Sequence, residues 1–228
     1  VDSLLGPLAK EAGRIGANTL DHTVFFNRGS RFEARSLPAE SQFAPASYAG
    51  IADFDGDGTE DVFLSQNFFP TEIGSPRYDD GRSLLLIGDG RDGLRAVPGH
   101  QSGLLVYGDQ RGAGYADFDG DGRLDLAVSQ NGAATRLFRN RGAKVGLRVR
   151  VAGPVGNPDG IGVQLRLVYA GRQGPVRQIQ AGSGYWSQNG AVQVLGLSGV
   201  ATKVWARWPG GRVTEVAVPA GATEVVVR

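Results

Sequence analysis

The 228-residue chain contains no cysteine, no methionine and only two histidines, His22 and His100. Without cysteine there is no disulfide framework and no thiol chemistry. Zinc is disfavoured as well, because the acidic stretches of the chain carry neither cysteine nor histidine. There is no apolar run of roughly 18 residues, the length needed for a membrane-spanning helix. The net charge of +1 supplies no field that would point to nucleic acid or a membrane surface. Neither a signal segment nor a methionine at position 1 is found, and this predicts a processed or excised piece of a longer precursor. Glycine, by contrast, is abundant at 36 residues and proline adds 11. They separate short apolar runs, a pattern that favours many strands and many turns and predicts an all-β fold.

The most informative stretch is Asp117-Phe118-Asp119-Gly120-Asp121-Gly122-Arg123-Leu124-Asp125, together with its near copy Asp53-Phe54-Asp55-Gly56-Asp57-Gly58-Thr59-Glu60-Asp61. Each places aspartates at the first, third, fifth and ninth positions. Two unit charges 4 Å apart repel by about 4 kcal/mol at an effective dielectric of about 20, so such a loop needs an offsetting cation. Alternate aspartates on a curled loop, a glycine at the sixth position and a backbone carbonyl at the seventh suit calcium, which accepts oxygen ligands in a flexible shell. Magnesium demands tighter octahedral geometry. The expected ligands are Asp53, Asp55, Asp57, Thr59 and Asp61 for one ion and Asp117, Asp119, Asp121, Arg123 and Asp125 for the other. Thr59 and Arg123 would bind through their carbonyls.

An acidic hairpin turn would explain one such stretch. Two copies 64 residues apart carry the match further, since Ala49-Gly50 and Ala52 recur as Ala113-Gly114 and Ala116, and Ser65-Gln66-Asn67 recurs as Ser129-Gln130-Asn131. The sequence argues against an EF-hand. That motif needs a bidentate glutamate at position 12, where this chain has Leu64 or Val128, and flanking helices, where it has short apolar runs that read as buried strands. The loops are therefore expected at strand-to-strand turns.

Leu4, Leu5, Leu8, Ala12 and Ile15 give the N-terminus a weak helical period broken by glycine and proline, enough for a short helical turn. Val24-Phe25-Phe26, a turn at Asn27–Ser30 and Arg31–Ala34 read as a hairpin. Leu137–Gly142 reads as a repeat of it, and Leu84–Gly90 as a looser version. The unit of acidic loop, strand, connection, strand, turn and strand suggests propeller blades. The long connection Phe68–Ser83 is a candidate contact surface. From Lys144 onward no acidic loop occurs, and seven alternating strands predict a small β-sandwich or barrel: Leu147–Val151, Val163–Val168, Val176–Ile179, Val192–Leu195, Lys203–Trp208, Val213–Val218 and Glu224–Val227. The domains read as 1–143 and 144–228.

The two acidic loops, with small residues before and a buried strand after, resemble FG-GAP/VCBS repeats. That family builds calcium-bearing propellers, including the ligand-binding head of integrin alpha chains. The stretches Asn157–Val163, Ala181-Gly182-Ser183-Gly184-Tyr185-Trp186-Ser187-Gln188 and Val204–Val213 resemble the ASPIC/UnbV domain, found after such repeats in cartilage acidic protein and its bacterial relatives. The resemblance implies about two blades, fewer than a closed propeller has, followed by a C-terminal domain. Exposed sheet edges would then need covering.

Together these features predict a non-enzymatic, secreted calcium-binding module, extracellular, periplasmic or on the cell surface, with two calcium ions. Its partners would be a protein or glycan ligand, or other copies of itself through sheet edges, as in an extracellular assembly; nucleic acid and a membrane span are not expected. The alternative is the non-catalytic C-terminal part of a larger calcium propeller enzyme acting on polysaccharide. Catalysis would need an acid/base pair outside the loops. His22 and His100 have no partner nearby in sequence, and Asp79-Asp80 is equally well a solvated turn. Tyr185, Trp186, Trp205 and Trp208 could form a carbohydrate-stacking platform. Trp205 and Trp208 differ in strand parity, however, and should face opposite sides. Ser183 lacks the spacing of a nucleophile elbow.

Overall fold

A computed structural model of the protein describes residues 6–11, 13 and 15–228. Strands make up 40% of the chain and helix 5%, so the all-β expectation holds; the chain forms several sheets and none of them closes. It divides into two compact units, Val1–Leu37 and Pro38–Arg228.

In the first unit a 3-10 turn spans Gly6–Lys10. Leu8 and Ile15 are exposed, while Leu4, Leu5 and Ala12 lie outside the described residues. The expected hairpin is present: β1 (Thr23–Asn27) pairs antiparallel with β2 (Phe32–Ser36), in register from Thr23↔Ser36 to Asn27↔Phe32. Asn27 Oδ1 accepts the Gly29 N–H at 2.8 Å and closes the turn, the local side-chain bond that makes asparagine a turn residue.

The second unit begins with two antiparallel meanders. The first is β3 (Ala46–Ala52), β4 (Asp61–Gln66), β5 (Leu84–Gly88) and β6 (Leu94–Val97), in that order across the sheet. A four-residue helix, α1 (Gly99–Ser102), then leads to β7 (Asp109–Ala116), β8 (Asp125–Asn131) and β9 (Ala133–Phe138), a three-stranded sheet. Both acidic loops fall at strand-to-strand turns, between β3 and β4 and between β7 and β8. Phe54 joins the two sheets, with ring centroids 6.5 Å from Phe63 and 5.6 Å from Tyr115, and these sheets share a core with Leu126, Val128 and Val194.

One expected hairpin is absent. Leu137–Gly142 repeats the letters of the first hairpin, but β9 ends at Phe138 and pairs only with β8. Asn140 instead ties the chain back to the loops, its N–H donating to Asp125 Oδ1 at 2.8 Å and its Nδ2 to Phe54 O at 2.8 Å.

The remaining strands are β10 (Leu147–Val151), β11 (Gln164–Tyr169), β12 (Arg172–Gln173), β13 (Arg177–Gln178), β14 (Gln193–Leu195), β15 (Ala201–Arg207), β16 (Val213–Ala217) and β17 (Glu224–Val227). All seven expected strands are found, and β12 is additional. One sheet has the order β14-β10-β17, with β17 parallel to β10; the other has β12-β11-β15-β16, with β13 on β11. Period-2 alternation buries Leu147, Val149 and Val151 from one sheet against Leu165, Leu167, Val204 and Ala206 from the other, in a single core. Trp208 lies in that core, whereas Trp205 is only half-buried, under the Arg166 guanidinium. Opposite parity thus sends the two rings to opposite faces, and a common platform of all four aromatics does not form.

The free edge of β7 is covered from the C-terminal region. Ser187 Oγ accepts the Ala113 N–H at 3.0 Å, Asn189 Oδ1 accepts the Tyr115 N–H at 3.2 Å, and Gly190 N–H donates to Tyr115 O at 2.8 Å. Two side chains and one backbone N–H here take the place of a neighbouring strand.

Asn67 fastens the long connection between β4 and β5. Fully buried at φ 85°, it donates from Nδ2 to Gly81 O at 2.9 Å and accepts the Gly81 N–H at 2.8 Å. Asn67→Ala strands these buried backbone groups and forces an alanine into the left-handed region, an expected cost of about 3 kcal/mol. Its sequence counterpart Asn131 is exposed, and Asn131→Ala should cost less than about 1 kcal/mol. Equilibrium urea unfolding of the two variants checks the contrast.

Candidate metal centre

The two acidic loops fold alike because the same aspartates bond to the same backbone positions. In the first, Asp53 Oδ1 accepts the Gly56 N–H at 2.7 Å and Oδ2 the Gly58 N–H at 2.8 Å. Asp55 accepts from Asp57 N–H at 3.1 Å and Asp57 from Thr59 N–H at 2.7 Å. Asp61 reaches back to the Phe54 N–H at 2.7 Å and across to the Gly88 N–H at 2.9 Å. In the second, Asp117 accepts from Gly122 N–H at 3.0 Å, Asp119 from Asp121 N–H at 3.2 Å, Asp121 from Arg123 N–H at 3.0 Å, and Asp125 from Phe118 N–H at 3.0 Å. The glycines at the fourth and sixth positions, Gly56 and Gly58 or Gly120 and Gly122, all have positive φ and allow the curl.

This curl brings carboxylate oxygens of Asp53, Asp55 and Asp61 within 4.8 Å of one another, and likewise those of Asp117, Asp119 and Asp125. Asp57 and Asp121 fall outside those groups and serve as turn acceptors. The Thr59 and Arg123 N–H groups point back to Asp57 and Asp121. The Arg123 side chain, to which sequence reasoning assigned no role, donates from Nε to Ala143 O at 2.7 Å and pairs with Asp121 at 3.1 Å.

The electrostatics of the loops differ. Among the described residues, no ion pair is made by Asp53, Asp55, Asp57 or Asp61. Burial pushes the Asp61 carboxyl up to about 7, with Asp55 and Asp53 adding like charge, and burial also raises Asp53. The second loop is ringed by guanidinium groups instead: Arg148 on Asp117, Arg139 on Asp119, and Arg123 on Asp121. Even so, the Asp117 side chain is wholly buried and its Oδ1 has no hydrogen-bond partner among the described residues, so one buried acceptor is left unused. Hard oxygen donors in this number suit a hard divalent cation. The donor set therefore fits the ion expected from the sequence.

Sequence reasoning missed the groups that come from outside the loops. Lys144 N–H donates to Asp55 O at 2.9 Å and Gly146 N–H to Gly122 O at 2.9 Å, so one segment laces both loops together. Arg148, on β10, also pairs with Glu224 at 3.1 Å. The recurrence of a turn after β5 and after β9 was the available signal for Gly88 and Asn140, which cap the ninth-position aspartates from equivalent places. The other candidates stay apart from the loops. Asp79 and Asp80 are exposed, Arg77 lies 3.6 Å from Asp79, and His100 sits exposed on α1.

The family described as ASPIC and UnbV matches residues 153–228. That match supports an ASPIC/UnbV domain in the C-terminal third of the chain. No curated protein matches the chain.

Loop and C-terminal region meet with no space to spare. A Cβ at Gly196 would stand 1.7 Å from Asp53 Oδ2. Gly196→Ala should therefore cost about 2 kcal/mol and lower the melting temperature by roughly 4–8 °C. Gly142, with open space around it, is the control: Gly142→Ala should change stability by less than about 0.5 kcal/mol. Differential scanning calorimetry of both variants is the measurement.

Proposed function

We propose that the chain is a calcium-stabilised extracellular interaction module, with one ion in each acidic loop and no catalytic role. The observation that carries this reading is the duplicated geometry. Two loops 64 residues apart in sequence each gather the first, third and ninth aspartates, and one of them keeps a buried carboxylate oxygen without a partner. The ions would be held by Asp53, Asp55 and Asp61 and by Asp117, Asp119 and Asp125. Asp57, Asp121 and the carbonyls of Thr59 and Arg123 would complete the shells. Calcium would supply charge compensation at the turns and chemistry of no other kind. Sites with no switch element suit the millimolar calcium found outside cells.

Blade-like organisation of the FG-GAP/VCBS kind is part of the proposal. Its support is a recurring order: a hairpin, a proline-led helical turn, a small-residue strand, an acidic loop and a buried strand. It runs once from β1 to β4 through Pro38 and again from β5 to β8 through Pro98. Contacts with partners would use exposed strand surface, for which β9, exposed over Ala133–Leu137, and the Phe25 and Phe32 side chains of the first hairpin are the candidates.

Isothermal titration of the EDTA-treated protein with calcium should show two sites, Asp61→Asn removing one and Asp125→Asn the other. Calcium at about 100 times its dissociation constant should add roughly 2.7 kcal/mol of stability per site. Magnesium at the same concentration should add less. No heat of binding and no calcium-dependent shift in melting would overturn the proposal.

A further inference from the structure

Away from the metal loops, a cleft of about 400 Å³ opens between β3, β7 and the C-terminal region. Its lining is dominated by neutral side chains able to form hydrogen bonds, with apolar surface between them. Gln178 and Gln180 are exposed, and their amides make no hydrogen bond to any described residue. Asn189 uses its Oδ1 on Tyr48 and Tyr115, and its Nδ2 makes no hydrogen bond to any described residue. Gln193 spends its Nε2 on Gly190 O at 2.8 Å and keeps its acceptor oxygen. Among these amides lie Ile51, which is 59% exposed, and the Tyr115 ring. Among the described residues, the only charges on the wall are Glu60 and Arg177. They cancel in a two-pronged pair, Nε to Oε1 at 3.1 Å and Nη2 to Oε2 at 2.8 Å.

That combination is selective. An anionic or cationic ligand finds no uncompensated countercharge, and a purely apolar one would strand the amides, each unsatisfied polar group costing on the order of 1–3 kcal/mol. A pyranose presents what the wall lacks: hydroxyls around its rim for the amides and an apolar C–H face for Tyr115 and Ile51. The volume is within the ~300–1,000 Å³ typical of ligand clefts and exceeds one sugar ring. We infer that this cleft binds two neutral pyranose units of a glycan, with Gln178 and Gln180 as its principal hydrogen-bonding groups. Cleavage is not part of the inference, because glycoside hydrolysis needs a pair of carboxyl groups flanking the bond. Among the described residues Glu60 is the one carboxylate on the wall, and it is committed to Arg177.

The inference rests on the reading of the chain as an interaction module and names its ligand class, but the wall residues are none of the proposed metal ligands. The test is titration of the protein with cellobiose, mannobiose, lactose and chitobiose, followed by saturation-transfer NMR and calorimetry. At least one disaccharide should bind saturably, and Gln178→Ala or Gln180→Ala should each weaken it by about fivefold or more. Neither side chain bonds to a described residue, so the variants should melt with the parent. Arg95→Ala, in a different cleft, should leave affinity unchanged. Absence of saturable binding across the four sugars, or binding that ignores both glutamine substitutions, would overturn the inference. A uronate-containing disaccharide is titrated beside them, and preference for it would overturn the inference too. Calcium-dependent melting is recorded on the same samples. A calcium shift without sugar binding removes the glycan site alone, and loss of both removes the module reading with it.

Discussion

Negative charge gathered at two tight turns, close against the C-terminal region, is the constraint on which the second unit depends. Asp53 and Asp61 are at most 5% exposed, and both spend their oxygens on backbone N–H groups. Those bonds fix the curl of the loop, and the curl sets the approach of the C-terminal region. A Cβ on Gly56 would meet Lys144 O at 2.2 Å, just as one on Gly196 would meet Asp53. Turn geometry and the seam between the meanders and the C-terminal sheets are therefore one structural problem. Neither can relax without moving the other.

The two loops answer the charge problem differently. Around the first, burial without a guanidinium on any of its aspartates leaves the carboxylates poorly compensated, which is why the Asp61 carboxyl is pushed so far up. Around the second, Arg148, Arg139 and Arg123 supply positive charge from three separate segments. On the proposed reading a cation at the first loop meets no protein competitor, whereas one at the second shares Asp117 with Arg148. Since Arg148 also holds Glu224 on the last strand, the charge state of the second loop is felt at the C-terminus of the chain. Among the described residues the aspartates of the first loop make no ion pair, whereas the charge of the second loop links segments through Arg148.

Much of this was legible in the residues. Alternation with period 2 located all seven expected C-terminal strands because each has one face in a shared core. The parity of Trp205 and Trp208 correctly separated a buried ring from a half-buried one. The short apolar runs after the aspartates placed both loops at strand-to-strand turns. The hairpin read into Leu137–Gly142 failed because its letters are shared with a true hairpin while its partner strand is not. Whether Asn-Arg-Gly turns a chain back on itself depends on where the next strand pairs, and here β10 joins another sheet. Long-range partners were equally out of reach. Nothing local to Arg148 or Gly196 records that each meets an aspartate far away in sequence, since such contacts come from topology and not from pattern.

The division of labour among the acidic residues arises from the same geometry. In a nine-residue loop whose first and ninth positions open and close on adjacent antiparallel strands, those two side chains are brought together by strand pairing itself, as Ala52↔Asp61 and Ala116↔Asp125 show. The third position joins them because glycine at the fourth lets the backbone double back. The fifth lies on the outer turn and bonds to the N–H two residues on. The three convergent oxygens would hold a cation, and Asp57, whose turn bond occupies Oδ1 alone, would keep Oδ2 to offer it. The strands on either side stay fixed by their ladders.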